Sequence, residues 1–411
     1  MDALRLLFAR LVRILGPDQR AVAQSAIALL ISIAATLVAG LVLASAEERL
    51  SQLPGLLLLV PAAIAQRGNV FGALGSRLGT AIHTGEFTLA RRLDTIFGQN
   101  VVASMALSTV AATWLALVGW VFANVFDVPD AMGLLDFVAV SVLGGVLASL
   151  VVLAFTVALA AGSTRFGWDL DNVTAPLVTG TGDLVTLPAL ILGSLVVGPS
   201  QASEILGVAL IVLALGVLAQ SVRTALALLR RIVLESLPVL GLASTLSLIA
   251  GVVIERRLGS FLEQPALLIL VPAYFGMAGA LGGILSSRLG TKVHLGMIEP
   301  TRIPQRQAWL DIRSVAVLAI PIFALVGAAA QLASVLVGID GPGFASMVAV
   351  STIAGGGATL VVLAVAYYGT LGAVRFRLDP DTVTIPLTNS VLDLVGAFTL
   401  VATLVLLGVG S

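Results

Sequence analysis

Apolar residues in this chain gather into long runs separated by short polar segments. Eleven runs, 22–46, 53–76, 100–123, 134–161, 174–197, 204–222, 236–254, 264–286, 313–336, 345–370 and 384–409, lie near or above the roughly 20 residues that carry a helix across a hydrocarbon core. Each predicts a membrane-spanning helix. The chain is 58% hydrophobic and only 11% charged over 411 residues, against about 25% charged in soluble domains. So few charges would not cover a water-exposed surface, and the fold class is all-α integral membrane protein.

The basic residues set the orientation. Of the 22 Lys and Arg, three (Arg49, Arg256 and Arg257) fall on one side of the eleven-span arrangement and Arg67 falls within a span. The other 18 fall on the opposite side. The positive-inside rule then puts the N-terminus in the cytoplasm and the C-terminus outside, in a multi-pass protein of the cell membrane. Residues 1–20 alternate leucine and arginine at helical spacing. They read either as a cytoplasmic amphipathic helix on the inner surface or as a basic leader that fixes topology.

The chain repeats itself. LLLLVPA at 56–62 returns as LLILVPA at 267–273, and SRLGT at 76–80 returns at 287–291, an offset of 211. DLDNVTAPLVTGTGDLV at 169–185 returns as DPDTVTIPLTNSVLDLV at 379–395, an offset of 210 with nine of 17 positions identical. Six spans separate equivalent points, so the halves point the same way. This gives five-helix repeats at 21–200 and 231–411, joined by a linker span within 201–230. Parallel repeats imply a pseudo-twofold axis along the membrane normal, and residues near that axis should face their own copies.

With no cysteine, disulfides and thiolate metal sites are excluded, and zero formal net charge gives no sign of nucleic-acid binding. The candidate chemistry lies at mid-depth. Asp183 and Asp393 each stand about ten residues into a span, where a charge costs about 2.5–3.5 kcal/mol and normally faces an interior path. Small and polar residues precede them (Thr179, Gly180, Thr181 and Gly182; Asn389 and Ser390), and Pro176 and Pro386 stand seven residues earlier. Two carboxylates meeting across an axis repel unless protonated or bridged by a cation. The available ligands are oxygens, which suit a hard divalent cation such as Mg2+, held partly through its water shell.

Arg67 has Ala278 as its repeat partner and reads either as a counter-charge to Asp183 or as a snorkelling group. The acids at 169, 171, 379 and 381 read as helix caps or as an acidic mouth. His83 and His294 read as interfacial packing in preference to metal ligation. Glu47, Glu48, Asp127, Asp130 and Asp136 are outer acids, either ordinary solvated loop charges or cation attractors.

VPAAIAQRGNVFGALGSRLGTAIHTG resembles the proline-to-glycine-asparagine segment, followed by Ser-Arg-Leu, of the MgtE-like membrane domain. The paired segments around Asp183 and Asp393 resemble the signature of that domain's fifth helix. The resemblance covers most of both halves. It implies a magnesium channel or transporter of the fused kind found in eukaryotic solute-carrier relatives, in which two five-helix domains make a monomer-competent pseudo-dimer. It implies that Asp183 and Asp393 are the pore aspartates, and that Thr179 and Asn389 hold the position whose backbone helps bind the hydrated ion. Asn69 belongs to the glycine-asparagine element, which the second half lacks. No stretch matches the soluble regulatory domains of bacterial MgtE, so their gating is not carried over.

The function read here is magnesium transport along a path between the halves, with Mn2+ and Co2+ as open alternatives for the ion. The rival is a proton- or sodium-coupled carrier of another solute, whose aspartates bind the coupling ion. No serine–histidine, Gly-x-Gly-Asp or zinc-ligand set lies at membrane depth, which argues against an enzyme.

Overall fold

A computed structural model describes residues 19–46, 52–89, 92–128, 131–168, 170–197, 202–257, 261, 263–299, 301–378 and 380–409. Within them lie eleven helices: α1 (Gln19–Ser45), α2 (Leu56–His83), α3 (Ile96–Val125), α4 (Leu134–Phe166), α5 (Leu170–Ser194), α6 (Ala202–Arg223), α7 (Ala227–Glu255), α8 (Ala266–His294), α9 (Arg306–Val337), α10 (Phe344–Arg375) and α11 (Pro380–Leu407). They correspond one to one with the eleven predicted spans. Ten carry described stretches long and apolar enough to cross a membrane. The remaining helix, α2, holds Gln66, Arg67 and Asn69 near its middle.

Helix ends differ from the apolar runs where polar residues continue a helix. α2 and α8 run through both copies of SRLGT to His83 and His294, well beyond the predicted ends at 76 and 286. His83 closes the last turn of α2, and Lys292 and His294 close that of α8, residue types that suit a helix C-terminus. α5 and α11 pass through Pro176 and Pro386 without a break. The amphipathic segment 1–18, Glu47, Glu48, Asp130, and the helix-cap reading of the acids at 169, 171, 379 and 381 lie outside what the structure describes.

Packing follows the repeat. Within the first half α2, α4 and α5 pack together, α3 packs on α2 and α4, and α1 lies along α5; within the second, α8, α10, α11, α9 and α7 repeat those pairings. Between the halves, α1 packs against α8 as α7 packs against α2, and α5 against α8 as α11 against α2. Two glycines permit the crossings. Gly40 on α1 meets the backbone of Ile269, and its repeat equivalent Gly251 on α7 meets that of Leu58, so that a Cβ would lie 2.6 and 3.0 Å from those carbonyl oxygens. Helices joined by small residues in this way are held by close backbone approach, the usual device within a bilayer.

The second helices form the centre. Every residue of α8 from Ala266 to Thr291 except Gly279 is buried, whereas α6 rests on α3 and α4 with Ile205, Val212 and Leu215 exposed. α2 and α8 meet at Ser76 and Ser287, whose hydroxyls lie 3.0 Å apart.

Candidate cation pathway

The central helices enclose a narrow axial cavity. α2 contributes Val60, Pro61, Ile64, Ala65 and Gly68, and α8 contributes Val271, Pro272, Phe275, Gly276 and Gly279, the same five positions at an offset of 211. Thr179 of α5 and Asn389 of α11, equivalent at 210, complete the ring with Leu43 and Asp393. A second space, lined by Gly72, Gly283, Thr174, Ile385 and Ser287, shares Gly68, Thr179, Gly279 and Asn389 with the first. The two therefore stack along one path. Proline at 61 and 272 cannot donate to the preceding turn, which leaves a carbonyl on each central helix without its usual amide.

The cavity measures about 40 Å³ and the second space about 10 Å³. A water needs about 10–15 Å³ by this measure, so the first holds a few waters and the second at most one. A magnesium ion with an octahedral water shell does not fit either space.

Asp393 lies on the cavity wall and accepts a hydrogen bond from Ser247 Oγ of α7. Asp183 is fully buried, and neither of its oxygens has a hydrogen-bond partner. Its carboxylate abuts Gly276, where a Cβ would stand 2.6 Å from Oδ2. Gly276 lines the cavity, so Asp183 lies against a residue of its wall.

The halves use equivalent hydroxyls differently. Thr36 is the repeat counterpart of Ser247, yet its hydroxyl donates to Ser32 O and Ile33 O at 3.0 and 3.1 Å and leaves Asp183 alone. Sequence reasoning missed Ser247. The signal was present, since TLVAGLV at 36–42 returns as SLIAGVV at 247–253, with the hydroxyl at the head of both copies.

Arg67 does not act as the counter-charge to Asp183. Its Nη1 donates to Ala63 O at 2.9 Å and to Gln66 Oε1 at 2.6 Å, while Nε and Nη2 have no partner. The guanidinium reaches Gly145 on α4, where a Cβ would also meet Ala112 of α3. Nor does it snorkel, being 1% exposed. The reason is geometric: Gly182, the neighbour of Asp183, packs against Arg67 Cβ, and the rest of the side chain points past α5.

Asn389 stands at the junction of the two spaces. Its Nδ2 donates to Asn69 Oδ1 at 2.8 Å, and its Oδ1 has no partner and faces Gly279. Asn69 thus orients Asn389. Ser390 donates to Pro386 O at 2.9 Å, satisfying its own helix. Asp136 sits in the first turn of α4, outside the residues that line either space. His294 Nδ1 lies 3.0 Å from Gly290 O. Among the described residues no group of three His, Asp or Glu converges on one point.

Near the ends of α2 and α8 that carry SRLGT, Arg77 Nε donates to Asn100 Oδ1 at 2.9 Å. At the equivalent positions Arg288 Nη1 lies 3.9 Å from Asp311 Oδ1, and Lys292 Nζ lies 2.6 Å from Oδ2. Each tie fastens a central helix to the third helix of its own half.

The sequence model of the MgtE family, a divalent cation transporter, matches residues 60–193 and again 271–403. The matches start 211 residues apart and end 210 apart, the offsets of the repeat. Solute carrier family 41 member 2 of Xenopus laevis is 29% identical over 60% of this chain and 45% of its own length. Solute carrier family 41 member 3 of Rattus norvegicus is 30% identical over 42% of this chain and 38% of its own. The chain spans about half, or less, of the length of the curated relatives it matches. Among solved structures, MATE in complex with MaL6 aligns over 97% of this chain and 99% of its own at 14% identity and a TM-score of 0.36, a likeness too weak to bear on the fold.

Proposed function

The chain belongs to the MgtE family of divalent cation transporters, and we propose that it moves magnesium through the axial cavity, with Asp393 and Asp183 as the charged groups of one ion site. The observation that carries this reading is the cavity itself, lined at equivalent positions by both halves and bordered by Asp393. Two buried carboxylates without cationic partners are costly, and a divalent ion between them offsets both charges. Asp393 meets the ion at the wall, oriented by Ser247. Asp183 supplies the second charge from behind Gly276, where lone oxygens stand ready for a cation or its water. Asn389 and Thr179, at the junction of the two spaces, offer oxygens to the hydration shell.

Residues 21–200 and 231–411 act as the two halves, with 201–230 as the link. One chain then carries both walls of the path and needs no second copy to complete it. The excess of basic residues puts the SRLGT ends of α2 and α8 in the cytoplasm.

Purified protein in detergent tests the reading. Magnesium at about 100 times its dissociation constant should stabilise the fold by about 2.7 kcal/mol, equal concentrations of sodium or potassium should not, and Asp393→Asn should lose the effect. Stabilisation by sodium with none by magnesium would replace this reading with that of a sodium-coupled carrier.

A further inference from the structure

The halves differ where the fourth helix turns into the fifth. GSTRFGW at 162–168 corresponds to GAVRFRL at 372–378, at an offset of 210. In the first half Trp168 folds back over α4. A Cβ at Gly162 would lie 3.2 Å from the indole, the ring stacks on Phe166 with centroids 5.2 Å apart, and Ser163 Oγ donates to Trp168 O at 2.6 Å. In the second half Leu378 replaces the tryptophan, and a Cβ on Gly372 would meet nothing within 4 Å. What Trp168 covers in one half is open in the other. The opening is a groove of about 500 Å³ between α10 and α11, lined by Tyr368, Gly369, Gly372, Phe376, Leu387 and Val391, with Phe376 74% exposed.

A second change accompanies the first. Arg377 replaces Gly167, and both adopt left-handed backbone, at φ 57° and 67°. An arginine is strained where glycine is not, and such strain persists at functional positions. It holds an exposed guanidinium between Phe376 and Leu378, two residues of the groove, with Arg375 beside it in the last turn of α10. Two exposed arginines that flank the lining residue Phe376 in the chain, next to an apolar slot, match a phosphate above a hydrocarbon tail, and arginine is the residue suited to phosphate.

We propose that this groove binds one anionic phospholipid, its acyl chain between α10 and α11 and its phosphate on Arg377 and Arg375. Trp168 denies the equivalent place in the first half. The site is separate from the ion path, so it stands whether or not magnesium is the cargo.

The test is the number of lipids retained by delipidated protein in neutral detergent, counted by native mass spectrometry during titration with phosphatidylglycerol or phosphatidylcholine. The wild type should retain one phosphatidylglycerol with at least about a tenfold preference over phosphatidylcholine. Leu378→Trp and, independently, Gly372→Leu should fill the groove and lower that retention at least about tenfold. Arg377→Gly should keep the groove, lose the preference and melt no lower than wild type in lipid-free detergent. Equal retention of the two lipids by the wild type would overturn the proposal, as would full retention in both groove-filling variants.

Discussion

Ser76 and Ser287, one residue in two copies, share a hydrogen bond with their Oγ atoms 3.0 Å apart. Only residues beside a twofold axis can meet their own equivalents. The pair joins the SRLGT segments of α2 and α8, and Ser287 also lines the narrower space of the axial path. The pair thus borders the tighter of the two spaces, which is too small for a hydrated ion, and under the proposed function it would latch one end of the route.

Replacing both serines with cysteine in this cysteine-free chain tests the latch. Two side chains in hydroxyl contact are near enough for a disulfide. Oxidised Ser76→Cys/Ser287→Cys protein should lose most of its transport and regain it on reduction, while each single variant stays active. Failure to cross-link, or full transport when cross-linked, would contradict a closed gate at this position.

The crossings between halves predict a matched pair of stability losses. Gly40→Val and Gly251→Val place side-chain atoms against the backbones of Ile269 and Leu58. Each should destabilise by about 1–3 kcal/mol, as overpacking does, read as a lower melting temperature in detergent. A loss in one variant with none in the other would mean that the two crossings are not equivalent.

Ser247 and Thr36 are equivalent in sequence and unequal in structure. A hydrogen bond to a charged group contributes about 1.5–3 kcal/mol, so Ser247→Ala should weaken apparent magnesium affinity about tenfold or more. Thr36→Val should change it little, because that hydroxyl serves its own helix. Magnesium titrations of uptake rate distinguish the two, and equal effects would contradict the asymmetry.

Arg67 is a buried cation without a carboxylate partner among the described residues. Replacing such a charge with an apolar side chain of similar length is often neutral or stabilising. Arg67→Met should melt no lower than wild type and bind magnesium more tightly, since a positive charge near the site is gone. Ala278→Arg, which puts a cation at the equivalent place in α8, should cut flux. Unchanged affinity in both variants would make Arg67 a packing residue.

Much of this was legible in the sequence because lipid imposes few options. Eleven apolar runs became eleven helices, and the offsets of 210 and 211 predicted that residues near the axis would face their own copies, as Ser76 and Ser287 do. Three features were not legible. The SRLGT ends of α2 and α8 ran long because that segment, though polar, continues a helix that apolar run length does not see. The direction of Arg67 depends on which side of Gly182 its stem passes, a matter of packing between α2 and α5. The unequal surroundings of Asp183 and Asp393 include the different partners of the Thr36 and Ser247 hydroxyls, which a repeat in sequence cannot record.

The central claim is that Asp393 and Asp183 together hold one divalent ion on the axis. Magnesium uptake into liposomes, with protein amount and monodispersity matched across variants, tests it most directly. Asp393→Asn and Asp183→Asn should each reduce uptake strongly, and the double variant should be little worse than the weaker single, since residues acting as a unit are not additive. Wild-type uptake by the double variant would contradict the account.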